Sequence, residues 1–309
     1  MGNFKRLLAA SDFSERSARA ETRAAMLCAQ LNCVSLDLLT VNDSGVLAAL
    51  ASVLDDSQLT AKRLLLSGAE RELEQKARQL QEAHGIRVEH HVRQGRPVTE
   101  ILAKADQLPA DLIAIGAHGG NAVTDLFLGN NADKLVCLGK RPLLIVKREP
   151  ERSYEKVLVP VDFSEDSIQS ARLALEIAPN AHITFLHAFT VPFEGQMHGA
   201  GIESQVIHQY RVKAAEEARR NLNQFIEDLG PRSQLLSRTI AFGYPVPVIC
   251  EAARSMRPDL IALGKHGRSR LEELLLGSVT RRIVDQVDCD VLVSTVPDDS
   301  GEWYDRTAA

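Results

Sequence analysis

The stretch Leu260-Ile261-Ala262-Leu263-Gly264-Lys265-His266-Gly267 joins an apolar run to a glycine-rich loop. The apolar run has the length of a buried strand, and the apolar spacing from Val279 to Val287 fits a helix. The loop therefore connects the carboxyl end of a strand to the amino terminus of a helix, where ligands bind in open α/β sheets. A helix start also presents unsatisfied N–H groups and favours an anion.

Three glycines and a hydroxyl shape this loop. Gly264, Gly267 and Gly277 lack a Cβ where the backbone must turn or approach a ligand, and Ser278 places a hydroxyl at the helix mouth. A plain connection could use the same residues, with Gly-Ser as an ordinary helix start. An excess of positive charge favours a phosphate ligand instead. The charged residues in or beside the loop are Lys265, Arg268, Arg270, Arg281 and Arg282, with Glu272 and Glu273 opposing them.

The order Gly, two residues, Gly, nine residues, Gly-Ser resembles the ATP-binding signature of the universal stress protein family. The resemblance implies an α/β fold of the adenine nucleotide alpha hydrolase type, with strand order 3-2-1-4-5. It also implies bound ATP, with or without Mg²⁺, and a nucleotide-dependent sensor or regulator in a stress response. The residues that it implies for nucleotide binding are Pro160, Asp162, Ala188, Gly264, His266, Gly267, Arg268, Gly277, Ser278 and Val279.

The sequence leaves open the roles of two of these residues, Asp162 and Ala188. In the family the aspartate after the first strand contacts adenosine, but Asp162 could equally form an Asx-turn before the capping residue Ser164. The family often packs a valine on the adenine at the end of the second strand. Ala188 is smaller, which puts the fit of the adenine in doubt.

The chain is an internal duplication. Asp12-Phe13-Ser14-Glu15 recurs as Asp162-Phe163-Ser164-Glu165, at an offset of 150 residues. Gly95-Arg96-Pro97-Val98 answers to Gly243-Tyr244-Pro245-Val246, and 111–116 answers to 259–264, both at an offset of 148. Solenoid repeats are roughly 20 to 50 residues long, so this period indicates a duplicated domain. We expect one domain over 1–148 and another over 154–296, with a charged, proline-interrupted linker between them.

Each copy alternates predicted strands with predicted helices. Copy one has strands near 5–10, 34–41, 86–93, 111–116 and 142–147, and helices near 14–31, 56–83, 97–107 and 129–138. Copy two has strands near 156–161, 182–189, 234–241, 259–264 and 290–295, a long helix near 203–229, and a flexible loop over 193–201. The alternation predicts two doubly wound, five-stranded parallel sheets.

Copy one keeps the glycine spacing but loses the hydroxyl. Its candidate residues, read as a degenerate nucleotide site, are Asp12, Val41, Gly116, Gly119, Gly129 and Asn130. Asn130 caps a helix as well as serine does, so the fold loses nothing. This loop has no lysine or arginine before Lys134, while Asp125 and Asp133 make it weakly negative. We therefore expect ATP in copy two and a structural role for copy one.

Composition excludes several classes of protein. The 309-residue chain is 45% hydrophobic and 25% charged, with a formal net charge of −5, which gives no overall attraction to nucleic acid or anionic membrane. We find no run of about 18 apolar residues that would span a membrane. The start of the sequence lacks the apolar core of a signal peptide, and we expect a cytoplasmic protein.

Catalytic and metal-binding patterns are missing from the sequence. The motifs G-x-x-x-x-G-K-[ST], G-x-G-x-x-G and G-x-S-x-G do not occur. His90 and His91 are adjacent on a strand and point to opposite faces, and neither His118 nor His266 has a helical partner, so we expect no metal. The five cysteines are scattered and odd in number, and buried free thiols are favoured over disulfides or zinc.

Three functions stay open from the sequence. The favoured one is the ATP-binding sensor, and the alternatives are a slow ATPase or nucleotidyl transferase and a scaffold that binds another small or lipid-like ligand. Related proteins pair two domains through their fifth strands about a two-fold axis. The fifth strands here, 143–146 and 291–294, are apolar edges without proline. We expect an intramolecular pseudo-dimer, with a homodimer of whole chains left open and the protein partners unknown.

Overall fold

The protein, described here as a computed structural model, consists of two compact units, one reaching Ser153 and the other running from Tyr154 to Val296. The structure describes residues 4–45, 58–117, 130–230, 235–267 and 276–295.

Within its described residues the first unit alternates strands and helices. The elements are β1 (Arg6–Ser11), α1 (Glu15–Leu31), β2 (Ser35–Asp43), α2 (Gln58–His84), β3 (Val88–Gly95), α3 (Pro97–Gln107), β4 (Leu112–Gly116), α4 (Asn130–Leu138) and β5 (Leu143–Val146). The strand order is β3-β2-β1-β4-β5, and every pairing is parallel. In the register Leu7 lies beside Leu36 on β2 and Leu112 on β4.

The second unit repeats this arrangement. Its elements are β6 (Lys156–Pro160), α5 (Glu165–Ile177), β7 (His182–Phe189), α6 (Glu194–Gly199), α7 (Ser204–Asp228), β8 (Leu236–Phe242), α8 (Pro245–Met256), β9 (Leu260–Gly264), α9 (Ser278–Gln286) and β10 (Asp290–Ser294). The order β8-β7-β6-β9-β10, again all parallel, is the predicted 3-2-1-4-5. The predicted doubly wound α/β fold is confirmed.

The central strands are buried because both faces of a parallel sheet are covered by helices. Leu7 and Leu8 on β1 are buried, as are Val157 and Leu158 at the equivalent positions of β6. Consecutive apolar residues of this kind are the signature of a strand with two covered faces. The sheet therefore holds the carboxyl ends of β6 and β9 side by side, which fixes where the following loops begin.

One predicted loop is a helix. The segment 193–201, expected to be a flexible loop, contains the six-residue α6. The Met197 N–H donates to the Phe193 carbonyl at 2.9 Å, and the Arg211 Nε of α7 donates to the Glu194 carboxylate at 2.8 Å. The sequence-based expectation was wrong because contacts with α7 stabilise a turn that three local glycines disfavour.

Among the described helices, none combines the length and the apolar character that crossing a membrane requires.

Candidate functional site

A cavity of about 460 Å³ opens at the carboxyl ends of β6, β7 and β9. Pro160 comes from β6, Ala188 from β7 and Gly264 from β9, while the start of α9 contributes Ser278. Ligand pockets in proteins are typically about 300–1,000 Å³, so the cavity has room for a small organic molecule. Its location at the ends of parallel strands is where doubly wound sheets hold ligands.

The structure brings the candidate residues of copy two together around this cavity. Nine of them line it, namely Pro160, Asp162, Ala188, Gly264, His266, Gly267, Gly277, Ser278 and Val279. The tenth, Arg268, lies outside the described residues.

The glycines are required because backbone and side chains from other elements come very close. A Cβ on Gly264 would lie 2.5 Å from the Asp166 Cβ, and one on Gly267 would lie 2.8 Å from the Asp162 Oδ2. A Cβ on Gly277 would lie 3.1 Å from the Lys265 carbonyl oxygen. Real Cβ contacts under 3.0 Å are essentially not seen, so the first two positions admit no side chain without a shift.

Asp162 is held in place by the start of α5. Its Oδ1 accepts the Ser164 N–H at 3.0 Å and the Ser164 hydroxyl at 2.5 Å. Ser164 in turn caps the helix, because its Oγ accepts the Ser167 N–H at 3.2 Å. Asp162 therefore forms the Asx-turn that the sequence offered as an alternative, and it does so through Oδ1. The other oxygen, Oδ2, points toward Gly267 across the cavity wall.

The start of α9 differs from the start of α5. Gly277 is its N-cap, with φ −56° and ψ 139°, and among the described residues no side chain caps the helix. Ser278 is the first helical residue and follows the N-cap directly. The next two residues, Val279 and Thr280, also line the cavity. Because the first N–H groups of a helix lack partners within it, this end can bind an anion.

Thr280 fixes the helix start against the strand that precedes the loop. Its hydroxyl donates to the Gly264 carbonyl at 2.7 Å, and the Gly277 N–H donates to the Lys265 carbonyl at 2.9 Å. The two ends of the glycine loop are thereby held together.

Of the five cations in or beside the loop, three are described, and none of the three lines the cavity. Lys265 is only 8% exposed and does not line the cavity, and its backbone N–H donates to the Ser294 carbonyl at 2.9 Å. Arg281 and Arg282 are exposed on α9 and do not line it either. Arg268 and Arg270 lie outside the described residues.

Two histidines flank the site. His266 lines the cavity, and its Nε2 is buried without a hydrogen-bond partner among the described residues. Its Nδ1 lies 4.0 Å from the Asp166 Oδ1, and its backbone N–H contacts the same oxygen at 3.4 Å. His187 contacts the Val161 carbonyl through Nδ1 at 2.8 Å and lies under the Phe163 ring at 4.4 Å between centroids.

Sequence reasoning missed the remaining cavity lining. These residues are Val161, Ser167, Leu186, Pro245, Ile249, Leu263, Leu276 and Thr280. Most of them are apolar, and one face of the cavity therefore suits a flat apolar group. Pro245 could have been predicted from the Gly-x-Pro-Val pattern that recurs in both copies. In copy two this pattern marks the start of α8, beside β7.

The candidate residues of copy one are only partly described. Asp12 repeats the hydrogen bonds of Asp162, accepting the Ser14 N–H at 3.1 Å and its hydroxyl at 2.5 Å. Gly116 ends β4, where a Cβ would lie 2.8 Å from the Arg16 backbone, and Val41 lies within β2. Asn130 is the first residue of α4. Gly119, Gly129 and His118 lie outside the described residues.

Metal ligands do not converge in the described part of the chain, where no group of three or more His, Cys, Asp or Glu side chains is arranged to hold an ion.

The fold and the cavity together define a duplicated doubly wound α/β protein with a glycine-lined site in its second half. The chain belongs to the universal stress protein family, which matches residues 3–147 and again residues 153–295. The two copies inferred from the sequence are thus two family domains.

Some known relatives match about half of this chain, and others match nearly its whole length. Universal stress protein MJ0531 of Methanocaldococcus jannaschii is 30% identical over 153 residues, covering 48% of this chain and 87% of that protein. Universal stress protein MJ0577 of the same organism is 28% identical over 155 residues, covering 45% of this chain and 94% of that protein. A universal stress protein from Archaeoglobus fulgidus shares the fold across 95% of this chain and 99% of its own, with a TM-score of 0.68 and 18% identity.

Proposed function

We propose that the second domain binds ATP or a related adenine nucleotide, and that the protein acts as a nucleotide-dependent regulator in a stress response. The observation that carries this proposal is the convergence of Asp162, the glycine loop and the uncapped start of α9 on one cavity. Each of the three supplies a different part of nucleotide recognition.

The phosphates would lie at the start of α9. The N–H groups there have no side-chain cap, and the helix macrodipole favours negative charge at this end. Gly277 leaves room for a phosphate to approach the backbone, since a Cβ there would already crowd the Lys265 carbonyl at 3.1 Å. Mg²⁺, where present, would be held mainly by the phosphates and water.

The adenosine would lie between β6 and β7. Asp162 presents Oδ2 toward the cavity, where a carboxylate can accept hydrogen bonds from ribose hydroxyls. Leu186, Ala188 and Ile249 supply an apolar wall for the base. The small Ala188 leaves space beside the base that the family's usual valine would fill.

Binding is the proposed activity, with turnover at most slow. Of the described acidic residues, Asp162 lines the cavity, and its Oδ1 is already engaged by Ser164. Hydrolysis requires a base that orients a water molecule toward the γ-phosphate. We therefore expect turnover far below the roughly ten per second of a typical enzyme.

Titration calorimetry with ATP tests the proposal. We expect one site per chain in the unmodified protein, and loss of that site in Gly277→Val, whose Cβ would lie 3.1 Å from the Lys265 carbonyl oxygen and force the start of α9 to shift. Gly195→Val is the matched control, because a Cβ at Gly195 meets nothing within 4 Å. Binding that survives Gly277→Val unchanged, or two equivalent sites per chain, would contradict the assignment to the second domain.

A further inference from the structure

Helix α1 ends in a turn that brings two cysteines together. Asn32 adopts the left-handed conformation, with φ 54° and ψ 48°, and its N–H donates to the Ala29 carbonyl at 3.4 Å. The following N–H, that of Cys33, donates to the Cys28 carbonyl at 3.0 Å. These two bonds form a Schellman motif, in which the side chains at the positions of Cys28 and Cys33 pack against each other.

The backbone bond also limits the distance between the two Cα atoms. With the Cys33 nitrogen 3.0 Å from the Cys28 oxygen, standard bond lengths place the Cα atoms no more than about 7 Å apart. Disulfides join Cα atoms roughly 4.4–6.8 Å apart. The limit that the turn sets is therefore close to the spacing that a disulfide needs.

The two thiols are in direct contact. The Cys33 thiol donates a hydrogen bond to the Cys28 sulfur, which lowers the pKa of Cys28 against the opposing effects of burial and the Asp37 carboxylate. The same bond raises the pKa of Cys33, and burial and the Asp111 carboxylate add to the rise. The shared proton stays on Cys33, and ionisation of the pair leaves its negative charge on Cys28.

The two cysteine residues differ in exposure. Cys28 is fully buried, whereas Cys33 is partly exposed. The residues on either side of Cys33 are exposed as well, Val34 to 54%. Of the two residues, Cys33 is therefore the one that a small oxidant in solvent meets first.

We propose that Cys28 and Cys33 form a dithiol that a peroxide oxidises to an intramolecular disulfide. The remaining cysteines serve as internal references. Cys250, for example, is buried and its thiol donates to the Gln286 side-chain oxygen at 3.2 Å. The proposal concerns the first domain and is independent of nucleotide binding.

The chemistry proceeds in two balanced steps. As the Cys33 sulfur attacks one peroxide oxygen, its thiol proton passes to the Cys28 thiolate and the O–O bond breaks; the departing oxygen takes that proton from Cys28 and leaves as water, or as an alcohol from an alkyl peroxide. Cys33 is then a sulfenic acid. The Cys28 thiolate attacks the Cys33 sulfur, the S–O bond breaks, and the oxygen leaves as hydroxide. One peroxide is consumed, and a dithiol reductant restores both thiols.

Peptide mass spectrometry of the whole protein after treatment with hydrogen peroxide tests this proposal. Trypsin leaves both cysteines in the single peptide 24–62, because the next basic residue after Arg23 is Lys62. After alkylation of free thiols, we expect this peptide to lose two hydrogen atoms and to escape alkylation at both sites. The protein should lose two of its five free thiols, and dithiothreitol should restore them.

Single substitutions separate the two roles. Cys28→Ser should stop the reaction at a Cys33 sulfenic acid that dimedone traps, while Cys33→Ser should leave the buried Cys28 thiol unreacted. Cys137→Ser, which removes another partly exposed cysteine, should leave disulfide formation unchanged. Equal thiol loss at all five cysteines, or oxygen addition to peptide 24–62 without a disulfide, would overturn the proposal.

Discussion

The Asp162 carboxylate oxygen Oδ2 lies 2.8 Å from the point that a Cβ atom on Gly267 would occupy. Gly267→Ala should therefore push the carboxylate out of its position in the cavity wall. A hydrogen bond to a charged group contributes about 1.5–3 kcal/mol, and a tenfold change in affinity corresponds to about 1.4 kcal/mol. We expect the affinity for ATP to fall roughly ten- to a hundredfold, as measured by calorimetry.

Gly195→Ala is the control for this substitution, since the added methyl group meets nothing within 4 Å. It should bind ATP as the unmodified protein does. An unchanged affinity in Gly267→Ala would show that the close approach of Gly267 to Asp162 has no role in binding.

The repeat offers a matched pair of aspartates. Asp12 and Asp162 make the same two hydrogen bonds to the following serine. Replacing either by alanine removes the same support from a helix start, so the structural cost should be similar. Only Asp162→Ala should weaken nucleotide binding, by roughly ten- to a hundredfold if one charged hydrogen bond is lost. Equal weakening in both variants would refute a separate site in the second domain.

Substitution of Gly264 tests how tightly α5 packs against β9. In Gly264→Ala the new Cβ would lie 2.5 Å from the Asp166 Cβ and 2.9 Å from its carbonyl carbon, so α5 must move away from β9. Overpacking of this kind costs about 1–3 kcal/mol. We expect a lower free energy of unfolding in a urea titration, whereas Gly199→Ala, which has open space, should stay within about 1 kcal/mol of the unmodified protein. A Gly264→Ala protein of full stability would contradict the packing described.

The Lys104 side chain should make the free energy of unfolding depend on pH. Burial lowers the pKa of its ammonium group, and the Arg93 guanidinium acts in the same direction. The folded protein then releases this proton at a lower pH than the unfolded chain does. Between the two pKa values the unfolded chain holds more protons, so this residue makes the free energy of unfolding rise with pH.

Lys104→Met should remove that contribution. We expect urea titrations to show a smaller rise in unfolding free energy from neutral to alkaline pH than in the unmodified protein. Lys134→Met, at an exposed position of the same domain, should keep the full rise. The same slope in both variants would show that the Lys104 ammonium is not destabilised by folding.

Much of the fold could be predicted from local pattern. Helix α3 begins at Pro97 as predicted, because proline fits the first turn of a helix and its position repeats in copy two. Strand β7 matches its predicted bounds, 182–189, because its residues lie among buried apolar neighbours. The glycines of the cavity could also be predicted, because three glycines at fixed offsets after a strand form a recognisable pattern.

The sequence could not show where a side chain lies relative to the cavity, or which distant residues come into contact. The positive charge of Lys265 is plain in the sequence, but its burial away from the cavity depends on the fold. Helix α6 depends on the pairing of Glu194 with Arg211, seventeen residues away. The contact between Cys28 and Cys33 arises from the left-handed residue Asn32. The pairing of the two fifth strands stays a prediction.

The central claim is that an adenine nucleotide occupies the cavity of the second domain, and photolabelling with 8-azido-ATP tests it most directly. After irradiation and digestion, the label should map to peptides lining the cavity, above all to 157–172, which contains Pro160 and Asp162. Excess ATP should prevent the labelling, and Gly277→Val should abolish it. Label that maps to the first domain, or that ATP does not displace, would contradict the account.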